Sequence, residues 1–69
     1  MSALDDLLAP YSATMTPAEA AEVLATTIES VQRQLRDDEL PGYKVHGRWV
    51  VLREELRDYM LRHRNAAVR

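Results

Sequence analysis

Two helix starts lie close together in this chain, and their spacing constrains the fold more than any other feature. The first, Thr16-Pro17-Ala18-Glu19, combines a capping hydroxyl, a proline at the first helical position and a glutamate placed to return the hydrogen bond. The second is Thr27, whose hydroxyl can cap the helix that follows, with Ser30 three residues later. The first helix must therefore end near Ala25-Thr26, where a short turn joins it to the second.

Both helices carry an apolar face through which they can pack together. The face of the first is narrow and made of small residues, which allows close approach of another helix. Its members are Ala20, Ala21, Val23 and Leu24. In the second, Ile28, Val31 and Leu35 follow at spacings of three and four. Two short helices joined in this way form a helix-turn-helix outline.

The outward side of the second helix is polar and partly basic. Val31 and Leu35 point inward, so the other side chains must point outward or to the flanks. These are Glu29, Gln32, Arg33 and Arg36. This is the side of such a helix that would enter a major groove.

A break and a hairpin follow the second helix. Asp37-Asp38-Glu39 ends that helix, and we expect one of these acids to take the left-handed conformation that glycine usually supplies. After Leu40-Pro41-Gly42, two short strands, Tyr43 to Val45 and Trp49 to Val51, flank a glycine turn.

Two registers of this hairpin can be compared. A two-residue loop at His46-Gly47 opposes Val45 with Arg48 and Lys44 with Trp49, which scatters apolar groups over both faces. A three-residue loop, His46 to Arg48, opposes Val45 with Trp49 and gives one apolar face. We predict the second register, with Lys44 on the solvent side and His46 and Arg48 at the tip.

The two ends of the chain complete the organisation. Residues 1–14 form an accessory helix and linker: a serine-led helix stopped by Pro10, which could pack on the domain, contact a partner subunit or fray. Residues 15–64 form the domain proper, with a last helix from Arg53 to about Arg64 whose acids and bases suit the helix dipole. Residues 65–69 are expected to be a frayed tail.

Charge is unevenly divided along the chain. The net charge is −2, but residues 1–42 hold eight acids against two bases (net −6), and the remainder holds seven bases against three acids (net +4). Such asymmetry is typical of a surface that faces a polyanion. The alternative is a solvated surface whose charges are mixed by chance.

Most other chemistry is excluded by composition. The chain has no cysteine, so thiolate catalysis and thiolate metal sites cannot occur. His46 and His63 lie on different elements, and Gly42 and Gly47 are too few for a phosphate-binding loop. We therefore expect no enzyme activity, no metal, no cofactor and no small-molecule substrate. No apolar run is long enough to cross a membrane and no signal peptide is evident, so a cytoplasmic protein is expected.

Trp49 is the largest side chain, and two roles can be weighed for it. As a bulky, mainly apolar residue beside the turn, it is expected to anchor the hairpin on the helices. The alternative is that it stacks on a base or fills a groove of a partner.

The order of features from Met15 to Leu61 resembles the small winged helix-turn-helix domains of the excisionase family, related to the DNA-binding end of MerR-type regulators. The likeness lies in the segments Thr16-Pro17-x-Glu19-Ala20-Ala21, Ser30-Val31-x-Arg33-x-Leu35-Arg36, Glu39-Leu40-Pro41-x-Tyr43-Lys44-Val45, Gly47-Arg48-Trp49 and Arg53-Glu54-Glu55-Leu56. The resemblance implies a mainly α fold with a small β-hairpin wing.

The resemblance also implies a function, sequence-specific binding of double-stranded DNA. The residues expected to contact DNA from the second helix are Thr27, Ser30, Gln32, Arg33 and Arg36. Those expected to contact it from the wing are Lys44, His46 and Arg48. In the excisionase case the partners would include an integrase and further copies of the chain, bound cooperatively on DNA in the nucleoid.

The chain departs from the family pattern at several positions. Ala25 stands where the turn usually has glycine, and Asp38 where glycine often ends the second helix. Ile28 and Glu29 replace the usual polar or basic residues at the front of that helix, so weak binding by a single copy is expected.

Two functional hypotheses remain at this point. The first is a DNA-binding accessory protein of a mobile element, or a small transcription regulator. The second is a protein-interaction module, similar to an antitoxin or antirepressor, whose acidic first half engages a basic partner.

Overall fold

Four helices and a small antiparallel sheet make up the computed structural model, which describes residues 2–64; the tail predicted at 65–69 lies outside the described residues. The elements in chain order are α1 (Ala3–Leu8), β1 (Thr14–Met15), α2 (Pro17–Leu24), α3 (Ile28–Arg36), β2 (Tyr43–Val45), β3 (Arg48–Leu52) and α4 (Arg53–Arg62). The strand order is β1-β3-β2. The predicted class, mainly α with a hairpin wing, is confirmed.

The caps of α2 and α3 form as the sequence predicts. Thr16 Oγ1 accepts a hydrogen bond from the Glu19 N–H at 3.1 Å, and Glu19 Oε1 accepts one from the Thr16 N–H at 3.0 Å. Thr27 Oγ1 accepts from the Ser30 N–H at 3.1 Å. Between the helices Ala25 adopts a left-handed conformation, φ 56°, which turns the chain into α3. Local capping therefore fixes where both helices start.

One core joins all the elements except β2. Its buried members are Leu8, Met15, Ala20, Ala21, Val23, Val31, Leu35, Leu40, Val51 and Leu56. Gly42 lies against this core, and a Cβ there would collide with the side chain of Leu35. A larger residue at this position would force the side chain of Leu35 to shift.

The register of the hairpin differs from the prediction. Val45 pairs with Arg48 and Lys44 with Trp49, so the loop has two residues, His46 and Gly47, and the three-residue loop is wrong. Both loop residues have positive φ, 52° and 76°, as a tight turn that follows the strand twist requires. The prediction assumed that β2 buries one face. All three residues of β2 are exposed, so placing apolar and charged side chains on both of its faces buries no charge.

Strand β1 has no counterpart in the sequence-based prediction. Thr14 pairs with Leu52 and Met15 with Val51, which makes β3 the central strand. A two-residue strand has too little sequence to show alternation, and its pairing depends on a partner far along the chain. Met15 is thereby brought into the core at 2% exposure.

Helix α1 packs on the domain, which is one of the three options that the sequence leaves open. Leu8 is buried, and Asp5 Oδ1 lies 2.6 Å from Arg57 Nε on α4. Arg53 Nη1 donates a hydrogen bond of 2.6 Å to the carbonyl oxygen of Tyr11 in the linker. The accessory segment is thus held to α4 by one apolar and two polar contacts.

Candidate nucleic-acid interface

The outer side of α3 presents two free cations. Val31 and Leu35 are buried at 0% and 4% exposure, which turns Arg33 and Arg36 to solvent. Among the described residues neither arginine has a carboxylate within 4.0 Å or makes a side-chain hydrogen bond. Both guanidinium groups are available to an external anion or base edge.

A groove connects α3 to the wing. Gln32 lies on the flank of α3 and is half-buried. The walls of the groove are Thr16, Pro17, Gln32, Gly47, Arg48 and Trp49. The start of α2, one flank of α3 and the tip of the hairpin therefore form a single continuous surface, which the linear sequence does not reveal.

The wing is exposed and basic at its tip. Lys44 and Arg48 are exposed, and within residues 2–64 neither forms an ion pair. Lys44 Nζ lies 5.7 Å from the centroid of the Trp49 ring, within the range of a cation–π interaction. His46 is exposed in the turn itself. Trp49 is half-buried and packs against the core, as an anchor of the hairpin would.

The base of the wing is tied to α4 by a contact that the sequence analysis missed. The hydroxyl of Tyr43 donates a hydrogen bond of 2.7 Å to Glu55 Oε2. This bond to a carboxylate raises the pKa of Tyr43 above its ordinary value. The two residues lie on different elements, and no local pattern could have paired them.

Thr27 and Ser30 hold the start of α3. The oxygen of the Thr27 hydroxyl accepts the capping bond, which leaves its hydrogen and one lone pair for an outside partner. Ser30 is half-buried one turn into the helix. Both residues lie at the positive end of the α3 dipole, where anions are favoured.

Several acids of the first half have partners elsewhere. Asp5 pairs with Arg57, Glu19 returns the capping bond to Thr16, and Glu22 Oε1 accepts a hydrogen bond of 3.0 Å from the hydroxyl of Tyr11. The bond to Glu22 raises the pKa of Tyr11. The acids that stay exposed on α3 and at its end are Glu29, Asp37, Asp38 and Glu39. These four acids lie on or beside the helix that carries Arg33 and Arg36, and among the described residues none of them forms an ion pair with either arginine.

Two further observations concern the described part of the chain. Residues 2–64 contain no group of three histidine, aspartate or glutamate side chains that could hold a metal ion. None of the four helices has the length and apolarity needed to cross a membrane.

Comparison with known proteins agrees with this architecture. A family model described as a helix-turn-helix domain matches residues 14–64, from β1 through α2, α3 and the wing to the end of α4. Neither the curated proteins nor the solved structures contain a match. The paired caps, the left-handed turn at Ala25 and the wing after α3 are the features that such a domain requires, and the chain belongs to the helix-turn-helix domain family.

Proposed function

We propose that this protein binds double-stranded DNA sequence-specifically, with α3 in the major groove and the wing on the backbone or in the adjacent minor groove. One observation carries the proposal. Arg33 and Arg36 are exposed and unpaired within residues 2–64, on the same helix whose Gln32 shares a groove with Arg48 of the wing. Binding of a duplex, without catalysis, is the function that this surface supports best.

The dimensions of α3 suit this role. Its nine residues make a helix about 13 Å long, and an α-helix with its side chains is about 10–12 Å in diameter, which fits a major groove about 12 Å wide. The residues proposed to contact DNA from this helix are Thr27, Ser30, Gln32, Arg33 and Arg36. Arginine contacts guanine edges in a bidentate manner, so the two arginines are the strongest candidates for base recognition.

The wing is proposed to supply contacts that do not depend on sequence. Lys44, His46 and Arg48 are exposed in and beside the turn of the hairpin. Cations of this kind bind phosphates and release counterions, so their contribution should fall as salt rises. With so few contacts a single copy should bind weakly, and copies on adjacent sites would gain affinity by cooperation.

Two biological roles are compatible with these contacts. One is an excisionase-like recombination directionality factor of a mobile element, with an integrase as its partner. The other is a small transcription regulator in the nucleoid of the cytoplasm. An excision assay with an integrase and a footprint on the region upstream of the gene distinguish them. The acidic interaction module has less support, because the match to a helix-turn-helix domain over residues 14–64 favours DNA as the partner.

The first experiment tests base recognition. Duplexes selected by the wild-type protein from a randomised pool are titrated by fluorescence polarisation at low and moderate salt. Arg33→Ala with Arg36→Ala should weaken binding to the selected duplex by about 30-fold or more, since two base contacts of roughly 1–3 kcal/mol each are removed. Arg62→Ala, which removes an exposed arginine from α4, is the matched control and should bind as wild type does. Unchanged affinity in the double variant would show that α3 does not read the duplex.

The second experiment tests the wing. Lys44→Ala with Arg48→Ala should weaken binding to selected and unrelated duplexes alike. It should also lower the slope of log affinity against log salt by about 2, one for each lost phosphate contact. A loss confined to the selected duplex would contradict a backbone role.

A further inference from the structure

We infer that Ile28 is a specificity-determining residue, whose side chain contacts the 5-methyl group of a thymine in the major groove. The inference rests on the proposed function and adds a prediction about the sequence that is read. The preferred site should contain a T·A pair opposite the start of α3.

The first observation is that Ile28 is exposed where the helical pattern predicts a core residue. It lies three residues before Val31 and seven before Leu35, yet 44% of its surface is accessible, against 0% and 4% for those two. It is the one large apolar residue of α3 that is exposed. Its methyl groups are therefore available to a partner.

The second observation is that nothing nearby in the described chain completes the packing of Ile28. It borders an open groove formed with Ala18, Ala21 and Thr26, whose short side chains cannot cover it. The two glutamates of the same groove, Glu19 and Glu22, bond to the Thr16 amide and the Tyr11 hydroxyl. An apolar surface thus stays open at the edge of α2 and α3.

The third observation is its position. Ile28 is the first residue of α3, one turn before Gln32 and adjacent to the capping Thr27. In a docked helix-turn-helix, residues at the N-terminal end of the second helix contact base edges.

The chemistry of the side chain then selects the base. Isoleucine has no donor or acceptor, so it can recognise neither a phosphate nor the polar edge of a base pair. Thymine differs from the other bases in presenting a methyl group to the major groove. Contact between this methyl and an aliphatic side chain removes apolar surface of both from water.

The test removes the methyl group from the DNA. In the duplex selected by the wild-type protein, each thymine is replaced in turn by deoxyuridine, which lacks only the 5-methyl group. At one position of each bound site the wild type should lose about three- to fivefold in affinity, the value of one buried methyl. Ile28→Ala should bind the thymine duplex more weakly by a similar factor and should be insensitive to deoxyuridine at that position.

Two controls keep the result specific. Ile28→Val retains branched methyl groups and should keep most of the sensitivity to deoxyuridine. Leu61→Ala removes an exposed apolar side chain of similar accessibility, 43%, from α4 and should behave as wild type does. Circular dichroism should show that all three variants keep their helices.

The outcomes separate the inference from the proposed function. If the wild type binds its selected duplex specifically and every deoxyuridine substitution affects wild type and Ile28→Ala equally, the role of Ile28 is refuted and DNA binding stands. If the wild type binds no duplex at low salt, both are refuted. The contact is established if replacing one particular thymine by deoxyuridine weakens binding of the wild type and of Leu61→Ala but not of Ile28→Ala.

Discussion

Within residues 2–64, three residues other than glycine adopt positive φ, and each lies just past the end of an element. Ala25 (φ 56°) ends α2, Asp38 (φ 60°) follows α3 and His46 (φ 52°) follows β2. Aspartate and histidine tolerate this conformation better than most residues, but alanine has no side-chain group that compensates for it. Ala25 and Asp38 are the two positions at which the sequence departs from the glycines of similar domains, so the backbone keeps the family geometry at some cost in free energy.

Replacing Ala25 with glycine should therefore stabilise the protein. The left-handed conformation costs a non-glycine residue about 1–2 kcal/mol, and the greater entropy of glycine in the unfolded chain offsets part of that. We expect Ala25→Gly to raise the free energy of unfolding by about 0.5–1 kcal/mol and the melting temperature by about 4 °C, measured by thermal circular dichroism.

The matched control is Ala18→Gly, an alanine of α2 that is exposed and helical. Glycine in a helix lowers stability, so this change should have the opposite sign. If both variants change the free energy of unfolding in the same direction, relief of backbone strain at Ala25 does not explain the effect of Ala25→Gly.

At the scale of elements, the attachment of α1 to α4 depends on a titratable pair. The hydrogen bond from Arg57, with a second from the hydroxyl of Ser2, lowers the pKa of the Asp5 carboxyl below its ordinary value. The folded state therefore favours the ionised carboxylate. Its contribution to stability is present above the ordinary pKa of about 3.9 and is lost as the pH falls through the lowered value in the folded state.

Acid should accordingly weaken the contact between α1 and α4. We expect Asp5→Asn to be less stable than wild type near pH 6, and the difference between the two to shrink as the pH falls below about 4. Urea unfolding at a series of pH values measures this.

Asp6→Asn is the control for that comparison, since Asp6 shares the first turn of α1 but has no ion pair within residues 2–64. If the difference in free energy of unfolding between wild type and Asp5→Asn stays constant from pH 6 to pH 3, the ion pair with Arg57 contributes nothing to stability.

At the scale of the whole molecule, the accessory helix and the helix-turn-helix share one core. Leu8 of α1 and Leu56 of α4 belong to the same buried cluster as Val31 and Leu35 of α3. A chain of 69 residues buries a smaller fraction of its surface than a larger domain, so each buried leucine is a large part of its stability. The N-terminal helix should therefore unfold together with the DNA-binding part.

Leu8→Ala tests this cooperativity. We expect it to lower the free energy of unfolding by about 2–3 kcal/mol through lost burial and the cavity left behind. Helix content from circular dichroism and the fluorescence of the single tryptophan, Trp49, should show the same shifted transition. An early loss of helix signal with unchanged Trp49 fluorescence would instead make α1 an independently melting segment.

The helices of this protein were predictable from its sequence. Capping at Thr16 and Thr27 acts over three residues, and the inward positions of Val31 and Leu35 follow from the helical period. The caps and the inward faces therefore depend only on residues that are close in the sequence. The family resemblance was predictable for the same reason, because its motif is a series of local signals at set distances. The assignment of Gln32, Arg33 and Arg36 to DNA remains a proposal.

Only the tertiary structure decided how these elements meet. The register at Val45 and Arg48, the pairing of Met15 with Val51 and the attachment of Asp5 to Arg57 all join residues whose environment depends on distant parts of the chain. The exposure of Ile28 also depends on tertiary structure. Its spacing in the sequence predicts burial, but the side chains of α2 do not cover it. Local hydrogen bonds are determined by neighbours in the sequence, whereas burial is determined by whatever the folded chain brings alongside.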